Sequence, residues 1–232
     1  GVWLARAQLA RLSLSSLLRP RQERPFDPRV YLGQPYDPDK RVVILDLDMR
    51  KPKIHLGFGV QNVRGMSTLL IDGVEPNPSV ETVLRGAKAM QEFEPDWIVA
   101  IGGGSALDAA KVMWCFYEHP QLEFADIITP GSMPPLRNKA RFIAIPSTSG
   151  TASEITAFSV ITDTKNHIKY PIVAADMVPD IAILDPAIPA KMPPHITANT
   201  GMDVLAHALE AVASTAATSF TDPYAIEAIG LV

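Results

Sequence analysis

Residues 97–111 read WIVAIGGGSALDAAK. The opening WIVAI is an unbroken apolar run with β-branched members, a pattern that predicts a parallel strand covered on both faces. Gly102, Gly103 and Gly104 follow without a gap. Residues lacking Cβ reach φ > 0 and let another molecule lie against the main chain. From Ser105 onward Ala106, Ala109, Ala110 and Met113 recur at helical spacing. A strand, a glycine turn and a helix start leave backbone N–H groups at the positive end of a helix dipole, a site for an anion such as phosphate. A Cβ at Gly104 is therefore expected to obstruct a pyrophosphate while the fold survives. A plainer reading stands beside it: Ser105 and Asp108 have the spacing of a capping box, and three glycines make a tight turn. The run is not G-x-G-x-x-G, and no Gly-Lys-Ser/Thr follows, which excludes a P-loop.

Upstream, RVVILD at 41–46 and TLLI at 68–71 are predicted strands. Ser79 is placed to cap a helix whose apolar positions are Val80, Val83, Leu84, Ala87 and Met90. Strand, helix, strand, glycine turn, helix is a βαβα series and predicts a parallel sheet. Downstream, RFIAI at 141–145 is the next buried strand. Residues 155–162 and 168–173 flank DTKN as a hairpin, and IAILD at 181–185 is a last parallel strand. Beyond Met192 the chain is alanine-rich and helical, with a further helix starting near Pro223. The expected organisation is an irregular segment 1–40, an α/β unit 41–185 and a helical unit 186–232.

The loop 147–153 follows a predicted strand, as the glycine turn does. Ligands of open parallel sheets sit beyond the carboxyl ends of the strands, so both loops are expected to face one crevice. Hydroxyls of Ser147, Thr148, Thr151 and Ser153 can meet phosphate, ribose or amide groups, and the pair of loops points to a nucleotide.

Composition narrows the classes. An apolar content of 47% over 232 residues supports a substantial core, and a net charge of −4 with no basic stripe gives no support for nucleic-acid binding. No apolar run is long enough to span a bilayer. The single Cys115 precludes an internal disulfide, fits a reducing cytoplasmic compartment, and is expected to be packed rather than reactive. The chain opens on Gly1, which reads as a fragment, a processed product or a trimmed chain. Residues 1–22 carry Arg6, Arg11, Arg19 and Arg21 and no acid, a composition like an organelle transit peptide, although an irregular terminus is the reading adopted.

Asp203 and His207 stand four apart on a predicted helix and project from one face, a spacing that suits two ligands of one metal ion or an ion pair. Two such groups cannot close a metal site alone.

GGGSALDAAK, PSTSGTASEIT, the DP after IAIL, and NTGMDVLAHALEA occur in the order and spacing of the iron-containing alcohol dehydrogenases, whose usual forms are GGGSPxDxAK, P-T/S-T-x-GTGSE-V/I-T and GxDxxxHAxE. The chain resembles that family over about residues 73–232, closest to the butanol-dehydrogenase-like members, with the alcohol dehydrogenase half of bifunctional aldehyde–alcohol dehydrogenases similar too. The resemblance implies a Rossmann-like dinucleotide-binding domain, the start of an all-helical metal-binding domain, and an active site between them. It implies NAD or NADP as cofactor, Fe2+ (with Zn2+ as the alternative), a small alcohol or aldehyde as substrate, and a homodimer when complete. Gly103, Gly104 and Ser105 would hold the pyrophosphate, with Asp108 in the same motif. Asn77 and Lys169 would contact the cofactor, and Ser147, Thr148, Thr151 and Ser153 would line its nicotinamide side. Asp203 and His207 would be two of four metal ligands.

The chain departs from the family pattern at three points. Ala106 stands for a proline. The acid that reads the adenine-side ribose has no secure match, Asp46 and Asp48 both being near, so NAD and NADP stay open. The other two ligands, histidines beyond Asp203, have no counterpart here. The chain is accordingly expected to behave as an inactive fragment, with the apolar side chains Val204, Leu205, Ala208 and Leu209 lacking partners. The alternatives are a non-catalytic nucleotide-binding or assembly fragment and the alcohol dehydrogenase part of a bifunctional enzyme. Dehydroquinate-synthase-like lyases and zinc glycerol dehydrogenases share the architecture, but the serine after three glycines and the GTASE loop argue against both.

Overall fold

The computed structural model describes residues 42–46 and 68–232. The expectations for the first forty residues, the transit-like composition and Asp48 lie outside these described residues. Five parallel strands form the main sheet in the order β2-β1-β3-β4-β7, with β1 at Val42–Asp46, β2 at Thr68–Ile71, β3 at Trp97–Gly102, β4 at Arg141–Pro146 and β7 at Ile181–Ala182. The chain runs outward from β1 to β2 and then returns to the other side of β1 with β3. The switch point therefore lies between β1 and β3, where the glycine turn emerges. The last strand is shorter than expected, although Ile183 N–H still donates to Ala144 C=O at 2.9 Å.

Alternation along the strands divides the core. Ile98 and Ala100 of β3, with Phe142 and Ala144 of β4, pack on the helical side, while Val99, Ile143 and Ile145 form a second cluster on the opposite face with Ile181, Ile183 and Ile188 against it. The continuous apolar runs thus cover both faces, as a parallel sheet requires.

Helix α1 spans Val80–Phe93 and is capped by Ser79, whose Oγ accepts the Thr82 N–H at 3.2 Å. The Glu75 carboxylate takes the Ser79 N–H at 2.8 Å and the Thr82 hydroxyl, adding an anion at the positive helix end. Val83, Ala87 and Met90 are buried as the spacing implied, but Leu84 is 44% exposed. Helix α2, Gly104–Glu118, differs more. Its apolar stripe was expected to cover one face, yet every residue except Ser105 and Asp108 is buried. The cause is tertiary: the sheet lies beneath it, α1 beside it, and a hairpin of β5 (Phe158–Asp163) and β6 (Ile168–Val173) on a further side. Trp114 stacks on Phe142 with ring centroids 5.3 Å apart. The thiol of Cys115 is fully buried, and burial pushes it up to about 12, so it is packed as expected.

A short helix α3, Phe124–Ile127, precedes β4. The hairpin forms as an antiparallel pair, β5 at Phe158–Asp163 and β6 at Ile168–Val173, with β5 starting three residues later than the β-rich run suggested. After β7 the described chain contains one 3-10 turn, Pro189–Lys191, and two helices, α4 at Pro194–Ala213 and α5 at Asp222–Leu231, which pack on each other. Ala208 is buried, against expectation, because α5 gives α4 a neighbour; Val204 and Leu205 are half-buried and Leu209 stays 53% exposed. No helix among the described residues is long and apolar enough to cross a membrane.

Candidate cofactor and metal site

Strands β3 and β4 end in register, Gly102 opposite Pro146, and Ser147 N–H donates to Gly102 C=O at 2.7 Å. The glycine turn and the loop 147–153 therefore begin side by side. Helix α2 takes Gly103 as its N-cap, two residues earlier than Ser105, and among the described residues no side chain caps it. The capping box of Ser105 and Asp108 is thus not formed. An uncapped helix start of this kind directs N–H groups outward, as an anion site needs.

The glycines have a second reason. A Cβ on Gly103 would lie 3.2 Å from Thr148 Cγ2, and one on Gly104 only 2.6 Å from Thr151 Cγ2 and 2.7 Å from its Oγ1. The molecule lying closest against this turn is the chain's own hydroxyl loop. Substituting Gly104 would displace Thr151 first, so the expectation that Gly104→Val would touch only a ligand does not hold. Gly150 repeats the device: its Cβ would meet Thr200 of α4 at 2.8 Å from Cβ and 2.9 Å from the carbonyl oxygen. The loop is thus wedged between the glycine turn and α4. Ser153 N–H and its hydroxyl both donate to Thr151 Oγ1, at 3.3 and 3.1 Å, which stiffens the far end of the loop.

Three residues far apart in sequence meet at the helix start. Lys169 Nζ donates to Asn77 Oδ1 at 2.7 Å, and Asn77 N–H points to Ser105 Oγ at 3.4 Å. Asn77 sits at φ 57°, in the left-handed region that asparagine tolerates better than most residues. Thr162 N–H donates to Pro78 C=O at 2.8 Å, and Thr162 pairs with Lys169 across the hairpin. Through those two links the lysine lands on the asparagine.

Asp108 turns away from the helix start. Its Oδ2 accepts the Val160 N–H at 3.0 Å, while Oδ1 is buried with no hydrogen-bond partner among the described residues. Burial raises its carboxyl above the ordinary range, against the Val160 hydrogen bond and the charge of Lys111. Lys111 is fully buried, and its Nζ donates to Thr156 C=O at 2.7 Å, Thr156 Oγ1 at 3.2 Å and Phe158 C=O at 3.0 Å. Burial pushes this ammonium down to about 8, with Asp108 and Glu154 opposing the shift. Burial likewise raises the Glu154 carboxyl. The signal for Lys111 in the sequence is a lone charge flanked by Ala109, Ala110, Val112 and Met113 on an apolar helix, which spacing alone gives no role.

On α4, Asp203 Oδ1 and His207 Nε2 stand 3.7 Å apart, both partly exposed on one face. A carboxylate oxygen and an imidazole nitrogen are donors that Fe2+ and Zn2+ accept, so the pair fits as part of a first shell. Among the described residues no third His, Cys, Asp or Glu joins them. Thr200, the residue against Gly150, precedes Asp203 by less than one helical turn. The hydroxyl loop thus connects the glycine turn to the helix carrying this pair.

Comparison with known proteins gives two family matches: a model described as iron-containing alcohol dehydrogenase over residues 59–186, and one for the C-terminal part of the same family over residues 197–232. The chain is 58% identical over 175 residues to an NADPH-dependent butanol dehydrogenase of Clostridium saccharobutylicum, covering 75% of this chain and 45% of that protein. Among solved structures, an iron-containing alcohol dehydrogenase from Thermococcus thioreducens superposes with a TM-score of 0.68 at 37% identity, covering 82% of this chain and 51% of that one. A sulfoacetaldehyde reductase from Bifidobacterium kashiwanohense in complex with NAD+ superposes with a TM-score of 0.72 at 29% identity, covering 88% and 52%. The chain spans about half the length of the relatives it matches.

Proposed function

The chain belongs to the iron-containing alcohol dehydrogenase family, and on that premise we propose that it supplies the dinucleotide site and part of the metal site of an NAD(P)-linked dehydrogenase acting on small primary alcohols and aldehydes. The observation that carries this reading is the meeting of Asn77, Ser105 and Lys169 at the uncapped start of α2, beyond the carboxyl end of β3. In this reading the N–H groups of the glycine turn and the Ser105 hydroxyl hold the pyrophosphate. The Lys169 ammonium and the Asn77 amide hold the adjoining ribose. Ser147, Thr148, Thr151 and Ser153 line the nicotinamide side, and Gly150 keeps α4, with Asp203 and His207, close to that loop. The groups bound there would supply a hydride carrier in the nicotinamide and Lewis acidity at the alcohol oxygen from a divalent cation. The residues 41–185 form the dinucleotide unit in this account, and 186–232 the beginning of the metal unit.

Titration of NADH and NADPH against the parent protein and Lys169→Ala, followed by nicotinamide fluorescence, tests the reading. Binding of at least one dinucleotide, weakened about tenfold by loss of the charge-assisted contact, is the expected result. A parent that binds neither dinucleotide refutes it. The alternative reading is a nucleotide-binding unit without catalysis. NAD(P)-linked alcohol oxidation with Fe2+ under anaerobic conditions separates the two: a rate abolished in His207→Ala rejects the non-catalytic account.

A further inference from the structure

Alternate residues of a β-strand direct their N–H and C=O groups to opposite edges. Ala174 N–H donates to Ala157 C=O, so on β5 and the short segment leading into it the odd-numbered residues face β6, and Thr156, Phe158, Val160 and Thr162 direct their backbone groups the other way. Among the described residues that edge has no strand beside it, only a single bridge between Ser79 and Thr162, because the hairpin is a two-stranded sheet of its own. An exposed row of this kind would be a liability. Instead every one of these residues is engaged by something else. Lys111 Nζ takes the carbonyls of Thr156 and Phe158, Asp108 takes the Val160 N–H, and Pro78 C=O takes the Thr162 N–H. Asp108 and Lys111 are three apart and so share a face of α2. Descending the helix from Lys111 to Asp108 climbs the strand from Thr156 to Val160, a cation for carbonyls followed by an anion for an N–H. Ser159 adds a hydroxyl donated to the Asp108 carbonyl at 2.9 Å. Two charged side chains of a helix thus stand in for a missing neighbouring strand.

The edge so held leads to the cofactor residues. Thr162 is fixed against Pro78, next to Asn77, and opposite Thr162 on β6 stands Lys169. A fully buried ammonium is a costly way to fill space when an apolar chain of the same length would pack. Its three N–H donors are matched to three acceptors, one the Phe158 carbonyl of β5 and two on Thr156 in the segment that leads into it.

We propose that Lys111 and Asp108 are positioning residues for dinucleotide binding, docking the edge of β5 on α2 so that the hairpin presents Lys169 to Asn77 and Ser105. The proposal rests on the dinucleotide reading above and assigns these two residues their part in it: they act through the hairpin and do not themselves touch the cofactor.

The test combines hydrogen exchange with a double-mutant cycle. Lys111→Met keeps the chain length and removes the donors; Ser159→Ala is a milder second variant should Lys111→Met fail to fold. The amides of 158–173 should exchange at least tenfold faster in Lys111→Met, and the Val160 amide faster in Ser159→Ala, while the amides of β3 and β4 keep parent rates. NADH or NADPH affinity should fall about tenfold in Lys111→Met, and by less in Ser159→Ala. In the Lys169→Ala background the same Lys111→Met change should cost less than twofold, because the group it positions is already gone. A merely structural lysine would cost as much affinity in that background as in the parent, and that result overturns the proposal. So does hairpin exchange equal to the parent in a folded variant. A parent that binds neither dinucleotide overturns the dinucleotide reading and this proposal with it, and is distinguished from the other failures because it appears before any substitution is made.

Discussion

Replacing Glu118 should loosen the base on which β4, and with it the hydroxyl loop, is set. This carboxylate closes the carboxyl end of α2 and is 5% exposed. Its Oε1 accepts Trp114 Nε1–H at 3.0 Å and the backbone N–H groups of Arg137, Lys139 and Ala140 at 2.9, 3.2 and 3.2 Å, and its Oε2 accepts Asn138 N–H at 2.7 Å. One side chain thus gathers the loop that feeds β4, and Arg137, in the left-handed region at φ 77°, ties the same loop to Asp180 and lies over the Trp114 ring. Each hydrogen bond to a charged group is worth about 1.5–3 kcal/mol, but five on one carboxylate share its charge and the outer amides regain water when freed. Glu118→Ala should therefore cost about 4 kcal/mol, well short of the sum of five. Glu118→Gln retains an oxygen for the four donors at Oε1 and places an amide N–H2 against the Asn138 N–H, so its cost should be about 1.5–2 kcal/mol. Urea denaturation followed by tryptophan fluorescence measures both. Equal losses for Gln and Ala, or a loss below about 0.5 kcal/mol for Ala, would refute the view that this carboxylate organises the loop.

Gly150→Ala brings a Cβ to 2.8 Å from Thr200 Cβ, so α4 or the loop must yield by several tenths of an ångström; a stability loss of about 1–3 kcal/mol is expected, read by urea denaturation. Partial burial pushes the Glu75 carboxyl up, but hydrogen bonds from Ser79 and Thr82 outweigh it and bring it from 4.5 down to about 2. Because the folded value is the lower one, its stabilisation is present above about pH 4.5 and is lost as pH falls toward 2, so Glu75→Gln should flatten the fall in Tm across that window. The Cys115 thiol, buried and pushed up to about 12, should stay unreactive toward a thiol reagent at pH 8 until the protein unfolds, as absorbance of the released chromophore would record.

The α/β character, the strand–turn–helix at 97–111, the hairpin, and the pairing of Asp203 with His207 were all legible in the residues, since each depends on periodicity or spacing within a few turns of chain. Family membership was legible for the same reason, being carried by four local motifs. What needed the tertiary structure were relations between segments. The capping box at Ser105 and Asp108 fits the spacing but fails because the helix starts two residues earlier and β5 claims the Asp108 carboxylate. Four positions, Ala106, Ala109, Ala110 and Met113, predicted one buried face for α2, but a third neighbour, the hairpin, covers the remainder, and sequence periodicity does not report how many elements surround a helix. The glycines were legible as permissive; that they make room for Thr148, Thr151 and Thr200 of the same chain follows only from the register of β3 with β4 and the approach of α4. Lys111 looked like one charge in an apolar helix, and only the approach of β5 and the segment leading into it, a consequence of how the hairpin docks on α2, gives that charge its three acceptors on Thr156 and Phe158.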